Sequence, residues 1–209
     1  MIRIKVCGVT SVEDALAACE AGADALGFVL APEAARRKRY VPPERLAELT
    51  DPLPPFVVRV AVMVNPTALE VADVLKWVDR VQLHGEESPA FCAQFGSRVY
   101  KAVRLASDDD VVDALRYPGH CLLADAAADH ARGGTGVTGR WDLAARLAGH
   151  GRRVILAGGL TPDNVTEAVW AVQPWAVDVS SGVERAPGKK DHDKLLRFIE
   201  AVRSAERTG

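Results

Sequence analysis

The chain has 209 residues, 48% of them apolar, with 28 acidic against 26 basic side chains and a formal net charge of −2. That length supports one large core, and the charge balance excludes a surface whose main task is to hold nucleic acid or anionic lipid. No run approaches the roughly 20 apolar residues of a membrane span, and Arg3 and Lys5 interrupt the opening apolar run where a secretion signal would be uncharged.

β-branched runs recur at 2–7, 24–30, 57–64, 79–84, 98–105, 120–125, 153–158 and 176–180. Helix-like segments separate them at 12–20, 43–49, 68–77, 88–95, 108–115, 142–147 and 161–172, and a last one covers 190–205. Ser11 before Val12-Glu13-Asp14 reads as a helix cap, and Thr161-Pro162-Asp163 as a helix start with proline in its first turn. Eight strands alternating with eight helices predict a parallel sheet. Short connections favour its closure into a single-domain (β/α)8 barrel over residues 1–209. A doubly wound open sheet is the alternative, but the GxGxxG of its dinucleotide-binding form is missing after the first strand. The segments 31–40 and 126–140 lack periodicity and are expected as long loops.

Residues two apart on a strand share a face. Ile2, Ile4 and Val6 oppose Arg3, Lys5 and Cys7, while Val81 and Leu83 oppose Arg80, Gln82 and His84. Val177 and Val179 oppose Asp178 and Ser180, and Val58, Val60, Val62 and Val64 oppose Arg59, Ala61, Met63 and Asn65. The aliphatic sets are expected against the helices. The polar sets then point inward, which implies paired charges low in the barrel and a polar site above them.

Two glycine-rich turns follow the last two strands, around Gly158-Gly159 and Ser180-Ser181-Gly182. Backbone N–H groups there can cradle a dianionic phosphate, and barrels commonly bind phosphate at these two positions. A phosphorylated small-molecule substrate is expected, and with it a barrel of the phosphate-binding type. Cys7 ends the first strand at the rim, where a thiolate can act as a base. Asp125 ends the sixth, either as a cap of the following turn or as an acid across the barrel from Cys7. An acid and a base on opposite sides of a ligand suit a proton-shuttling isomerase. Asp178 either pairs with Lys5 or touches substrate, and His84 is either a group behind the site or a barrel-interior histidine. Cys7, Cys19, Cys92 and Cys121 form no CxxC pair, so neither a metal site nor a disulfide framework is indicated.

These residues fall in blocks that resemble the phosphoribosylanthranilate isomerase family of tryptophan biosynthesis. The blocks are Lys5-Val6-Cys7-Gly8-Val9-Thr10, Gly22-Ala23-Asp24-Ala25-Leu26-Gly27-Phe28, Arg39-Tyr40-Val41, Val62-Met63-Val64-Asn65 and Gln82-Leu83-His84-Gly85. They continue as Gly133-Gly134-Thr135-Gly136, Ala157-Gly158-Gly159-Leu160, Asp178-Val179-Ser180-Ser181-Gly182-Val183-Glu184 and Pro187-Gly188-Lys189-Lys190-Asp191, in the family's order. The resemblance implies a metal-free, cofactor-free Amadori rearrangement of N-(5-phosphoribosyl)anthranilate to the 1-deoxyribulose phosphate. It makes Cys7 the general base, Asp125 the general acid and Arg39 the clamp for the anthranilate carboxylate. Extra residues at 33–38 leave Arg36 and Arg37 as competing clamps, and Val137 stands where the family more often has lysine. For Cys7 to act as base the site is expected to favour its thiolate, with Lys5 as one source of positive potential. Two other readings compete: a histidine-pathway isomerase, which resembles two half-barrel repeats and has Asp at the Cys7 position, and a non-catalytic barrel that binds a phosphorylated metabolite. The expected protein is cytoplasmic, a monomer or homodimer, with no nucleic-acid or membrane partner.

Overall fold

The structure is a computed structural model and describes residues 1–126 and 140–208. The strands are β1 (Arg3–Cys7), β2 (Ala25–Val29), β3 (Val58–Met63), β4 (Arg80–Leu83), β5 (Val99–Arg104), β6 (Cys121–Asp125), β7 (Arg153–Ala157) and β8 (Ala176–Val179). They pair in parallel and in chain order, and β8 returns to β1, closing a barrel. Outside lie α1 (Val12–Ala21), α2 (Leu46–Thr50), α3 (Ala68–Val74), α4 (Pro89–Ala93), α5 (Asp108–Ala114), α6 (Trp141–Gly149), α7 (Val165–Val172) and α8 (His192–Thr208). Local chemistry sets several of their ends. Ser11 Oγ accepts from Asp14 N at 3.2 Å to start α1, and Gly22, at φ 105, takes the left-handed conformation that ends it.

The main core lies between barrel and helices. Ile4, Val6, Leu26, Phe28, Val81, Leu83, Leu122, Leu156 and Val177 are all fully buried there, and each such side chain contributes roughly 1.5–3 kcal/mol. A smaller apolar set inside the barrel joins Ala102, Leu123, Ile155, Ala157 and Ala176 to Tyr100 and Cys121.

One parity expectation is corrected. Cys7 is the neighbour of Gly27, and Gly27 of Val60. Side-by-side residues in a parallel sheet share a face, so Val60 and Val62 point into the barrel while Ala61 and Met63 pack on the helices. Both faces of β3 are apolar, so alternation alone could not tell them apart. Three local expectations also change. Residues 31–40 carry a 3-10 helix over Pro32–Arg37. Helix α7 begins at Val165, because Thr161 N bonds to Asn164 Oδ1 at 2.8 Å and the chain turns first. A hairpin not foreseen, β9 (Glu184–Ala186) and β10 (Lys189–Lys190), follows β8. The Gly133–Gly136 block and Val137 lie outside the described residues. Among the described residues no helix is long and apolar enough to cross a membrane.

Candidate active site

Two regions of the C-terminal rim hold the chemistry. On the first, Cys7 closes β1 beside Gly27 of β2. A Cβ on Gly27 would meet Cys7 Sγ at 2.8 Å and Lys5 Nζ at 3.1 Å, so only glycine leaves room for the thiol and the ammonium together. Lys5 Nζ in turn donates to Asp178 Oδ1 at 2.8 Å, which makes Asp178 the inward partner of Lys5. Burial works against the Lys5 ammonium, but the Asp178 carboxylate outweighs it and holds Lys5 charged. Burial also pushes the Cys7 thiol up; Lys5 pulls it back, Asp178 adds to the push, and the net direction is up. The expected bias toward thiolate is therefore absent in the free protein: burial of the thiol outweighs Lys5, whose charge Asp178 partly offsets.

The hairpin completes this side. Lys190 is fully buried, and its Nζ donates to Cys7 O at 2.7 Å, Ser180 O at 3.1 Å and Glu184 Oε1 at 3.3 Å. Arg39 grips the same carboxylate from the other side, Nε to Oε1 at 2.8 Å and Nη2 to Oε2 at 2.7 Å. Burial opposes the Glu184 charge, but Arg39 and Lys190 outweigh it and hold its carboxyl below the ordinary range. Arg39 passes over Gly8, where a Cβ would lie 2.9 Å from Arg39 Cδ and 3.0 Å from Ser180 Oγ. Of the three candidate arginines only Arg39 reaches this site; Arg36 and Arg37 are exposed on the 3-10 helix. Glu184 and Lys190 were not foreseen as site residues. The signal was there in Pro187-Gly188, a turn pair that folds Lys190 back onto Glu184.

Asp125 occupies the other region, half-buried at the end of β6. His84 Nε2 lies 4.0 Å from Asp125 Oδ2, and a cavity of about 640 Å³ lined by His84, Lys101, Arg104 and Asp125 opens there. A larger cavity of about 830 Å³ opens at the opposite, N-terminal end of the barrel and reaches up to Lys5. Between Cys7 and Asp125 on the rim come the glycine turns. Gly158 and Gly159 hold φ of 96 and 68, which favours glycine, and a Cβ on Gly182 would sit 1.9 Å from Leu160 O. The two turns thus pack backbone on backbone, with Ser180 and Ser181 beside them.

The sequence pattern of the N-(5'-phosphoribosyl)anthranilate isomerase family matches residues 4–201. The chain belongs to that family. As a member it is an isomerase of tryptophan biosynthesis on a (β/α)8 barrel, and the histidine-pathway and non-catalytic readings fall away. The N-(5'-phosphoribosyl)anthranilate isomerase of Magnetococcus marinus is 49% identical over 207 residues, covering 98% of this chain and 97% of its own. A solved phosphoribosyl anthranilate isomerase in complex with reduced 1-(o-carboxyphenylamino)-1-deoxyribulose 5-phosphate is 42% identical, with a TM-score of 0.86 over 98% of this chain and 100% of that one. Monomers generated from the dimeric enzyme of Thermotoga maritima are 40% identical, with a TM-score of 0.85 over the same shares of the two chains.

Proposed function

We propose that the chain converts N-(5-phosphoribosyl)anthranilate to 1-(2-carboxyphenylamino)-1-deoxyribulose 5-phosphate with Cys7 as general base and Asp125 as general acid. The observation that carries this is the seating of the Cys7 thiol beside the Lys5 ammonium over Gly27, on the same rim as Asp125. Asp125 gives a proton to the ribose ring oxygen as the C1–O bond breaks, and the lone pair of the anthranilate nitrogen forms the C1=N bond. The cationic nitrogen makes the C2 hydrogen acidic. Cys7 as thiolate takes that proton, the C–H electrons become a C1–C2 double bond, and the nitrogen regains its lone pair. The enolamine ketonises by gaining a proton at C1 and losing one from the C2 oxygen. C2 is oxidised and C1 reduced within one molecule, which asks for no external electron acceptor. Asp125 has lost a proton and Cys7 has gained one, so the pair carries a single proton through these steps. Lys5 is the cation that meets the sulfur when its proton has left.

The substrate's phosphate is assigned to the turns at Gly158-Gly159 and Ser181-Gly182, with the Ser180 hydroxyl beside them. Its carboxylate is assigned to Arg39, already oriented by Glu184 and able to offer a second edge of its guanidinium. Asp178 serves Lys5 at the floor of the site, and His84 lies by the acid. A cysteine that must stay reduced to work as a base suits a reducing compartment, which supports a cytoplasmic location. The dimeric Thermotoga maritima relative and the 95% exposure of Phe56, at the rim of the N-terminal cavity, support a homodimer. Phe56→Asp then halves the mass seen by light scattering and leaves the fold intact; an unchanged mass overturns that assembly.

The activity is read by mixing the protein with freshly generated phosphoribosylanthranilate and following the loss of substrate fluorescence. Enzymic loss, competed by inorganic phosphate, is expected. No turnover would overturn the reading.

A further inference from the structure

Three side chains, Tyr100, Gln82 and His84, form a line that runs up the barrel interior toward the acid. Tyr100, on β5, is partly buried, and desolvation pushes its phenol well above the ordinary range, so it keeps its proton. Its Oη donates to Gln82 Oε1 on β4 at 3.2 Å. With the amide oxygen on that side, the Gln82 Nε2 faces His84 Nδ1 at 2.9 Å. An amide NH2 only donates, so in this orientation of the Gln82 amide Nδ1 accepts. Burial lowers the pKa of His84 more than Asp125 raises it, which favours the neutral ring, and a neutral ring that accepts at Nδ1 carries its one proton on Nε2. That is the nitrogen 4.0 Å from Asp125 Oδ2. The gap is longer than a hydrogen bond, and a small side-chain movement closes it.

We propose that Tyr100 and Gln82 are positioning residues that fix His84 as the Nε2–H tautomer, so that a neutral N–H donor faces Asp125 and receives the carboxylate formed when Asp125 gives up its proton. This rests on Asp125 being the acid. The opposite tautomer would turn a lone pair toward that new anion and repel it. A carboxylate that gains one donor as it ionises is a better acid in the step that matters, with no effect on how substrate binds.

The test is ¹⁵N NMR of the His84 ring in the whole protein, with its signals assigned by their loss in His84→Gln. The Nε2–H pattern is expected in the wild type at neutral pH, and an Nδ1–H pattern there would overturn the proposal without any variant. Gln82→Glu replaces the donor by a carboxylate that accepts from both Tyr100 and Nδ1–H. It is expected to move the proton to Nδ1 and to lower kcat about tenfold to a hundredfold, the range of one hydrogen bond to a charged group, with KM within about twofold. His84→Gln, whose amide N–H can reach the same place, is expected to keep more of kcat than His84→Leu. A switched tautomer with unchanged kcat would overturn the proposal. The reading of Asp125 is tested separately by Asp125→Asn: full activity there removes the acid itself, whatever the tautomer of His84.

Discussion

Around Cys7 the charged groups are matched before substrate arrives: Lys5 with Asp178, Lys190 and Arg39 with Glu184, and thiol and ammonium fitted over a glycine. Around Asp125 the contact with His84 is the long one, the ring standing at the mouth of a cavity 4.0 Å from the carboxylate. The base side is built like a core, where position is set by contact and an added methyl group is felt at once. The acid side is built as a chain of donors and acceptors, where what matters is which atom carries a proton. The two sides should therefore break in different ways.

The largest effect expected from shape alone is at Gly27. Gly27→Ala puts a carbon 2.8 Å from Cys7 Sγ, so the thiol or the strand must shift. A displacement on the order of 1 Å in a reacting group is worth about 10² in rate, so kcat should fall about a hundredfold while circular dichroism stays that of the wild type. If activity survives, the thiol is not held where the mechanism needs it. Arg39→Lys tests the same side by chemistry. Lysine keeps the charge but cannot hold Glu184 and a carboxylate as a fork does, so KM should rise about tenfold; Arg37→Lys should change it by less than about twofold. The reverse order would move the clamp to Arg37. The smallest effect is a rate against pH. Burial holds Cys7 above the ordinary thiol value of about 8.5, so the thiol form prevails at neutral pH and only the thiolate is alkylated. Iodoacetamide should therefore modify Cys7 in the free protein slowly at pH 7, and the rate should still be climbing above pH 8.5. A midpoint below 8 would mean that Lys5 outweighs burial after all.

Much of this was legible in the sequence, for physical reasons that also mark where reading stopped. Alternating β-branched and helical segments place every strand of the barrel within a residue or two, because burial on both faces of a parallel sheet demands such runs. The charged residues of β1 and β8, set among aliphatics, announce an inward ion pair, and Lys5 and Asp178 form it. On β3 the same reasoning fails, since valines on one face and Ala61 and Met63 on the other give alternation no contrast; only the pairing with Gly27 decides. Cys7, Asp125 and the glycine turns stand out at strand ends. Gln82 and Tyr100 do not, because their role lies in the direction of two hydrogen bonds, which no spacing encodes. Glu184 and Lys190 depend on a hairpin that a single Pro-Gly pair announces.

The central claim is that Cys7 removes the C2 proton, and the turnover number of Cys7→Ala tests it most directly. The substitution deletes a sulfur from a packed rim without adding anything, so the fold and KM should be those of the wild type. General-base catalysis is worth roughly 10²–10⁴ in rate, and kcat measured by loss of substrate fluorescence should fall by at least that much. A Cys7→Ala protein that turns over phosphoribosylanthranilate at near the wild-type rate would contradict the account.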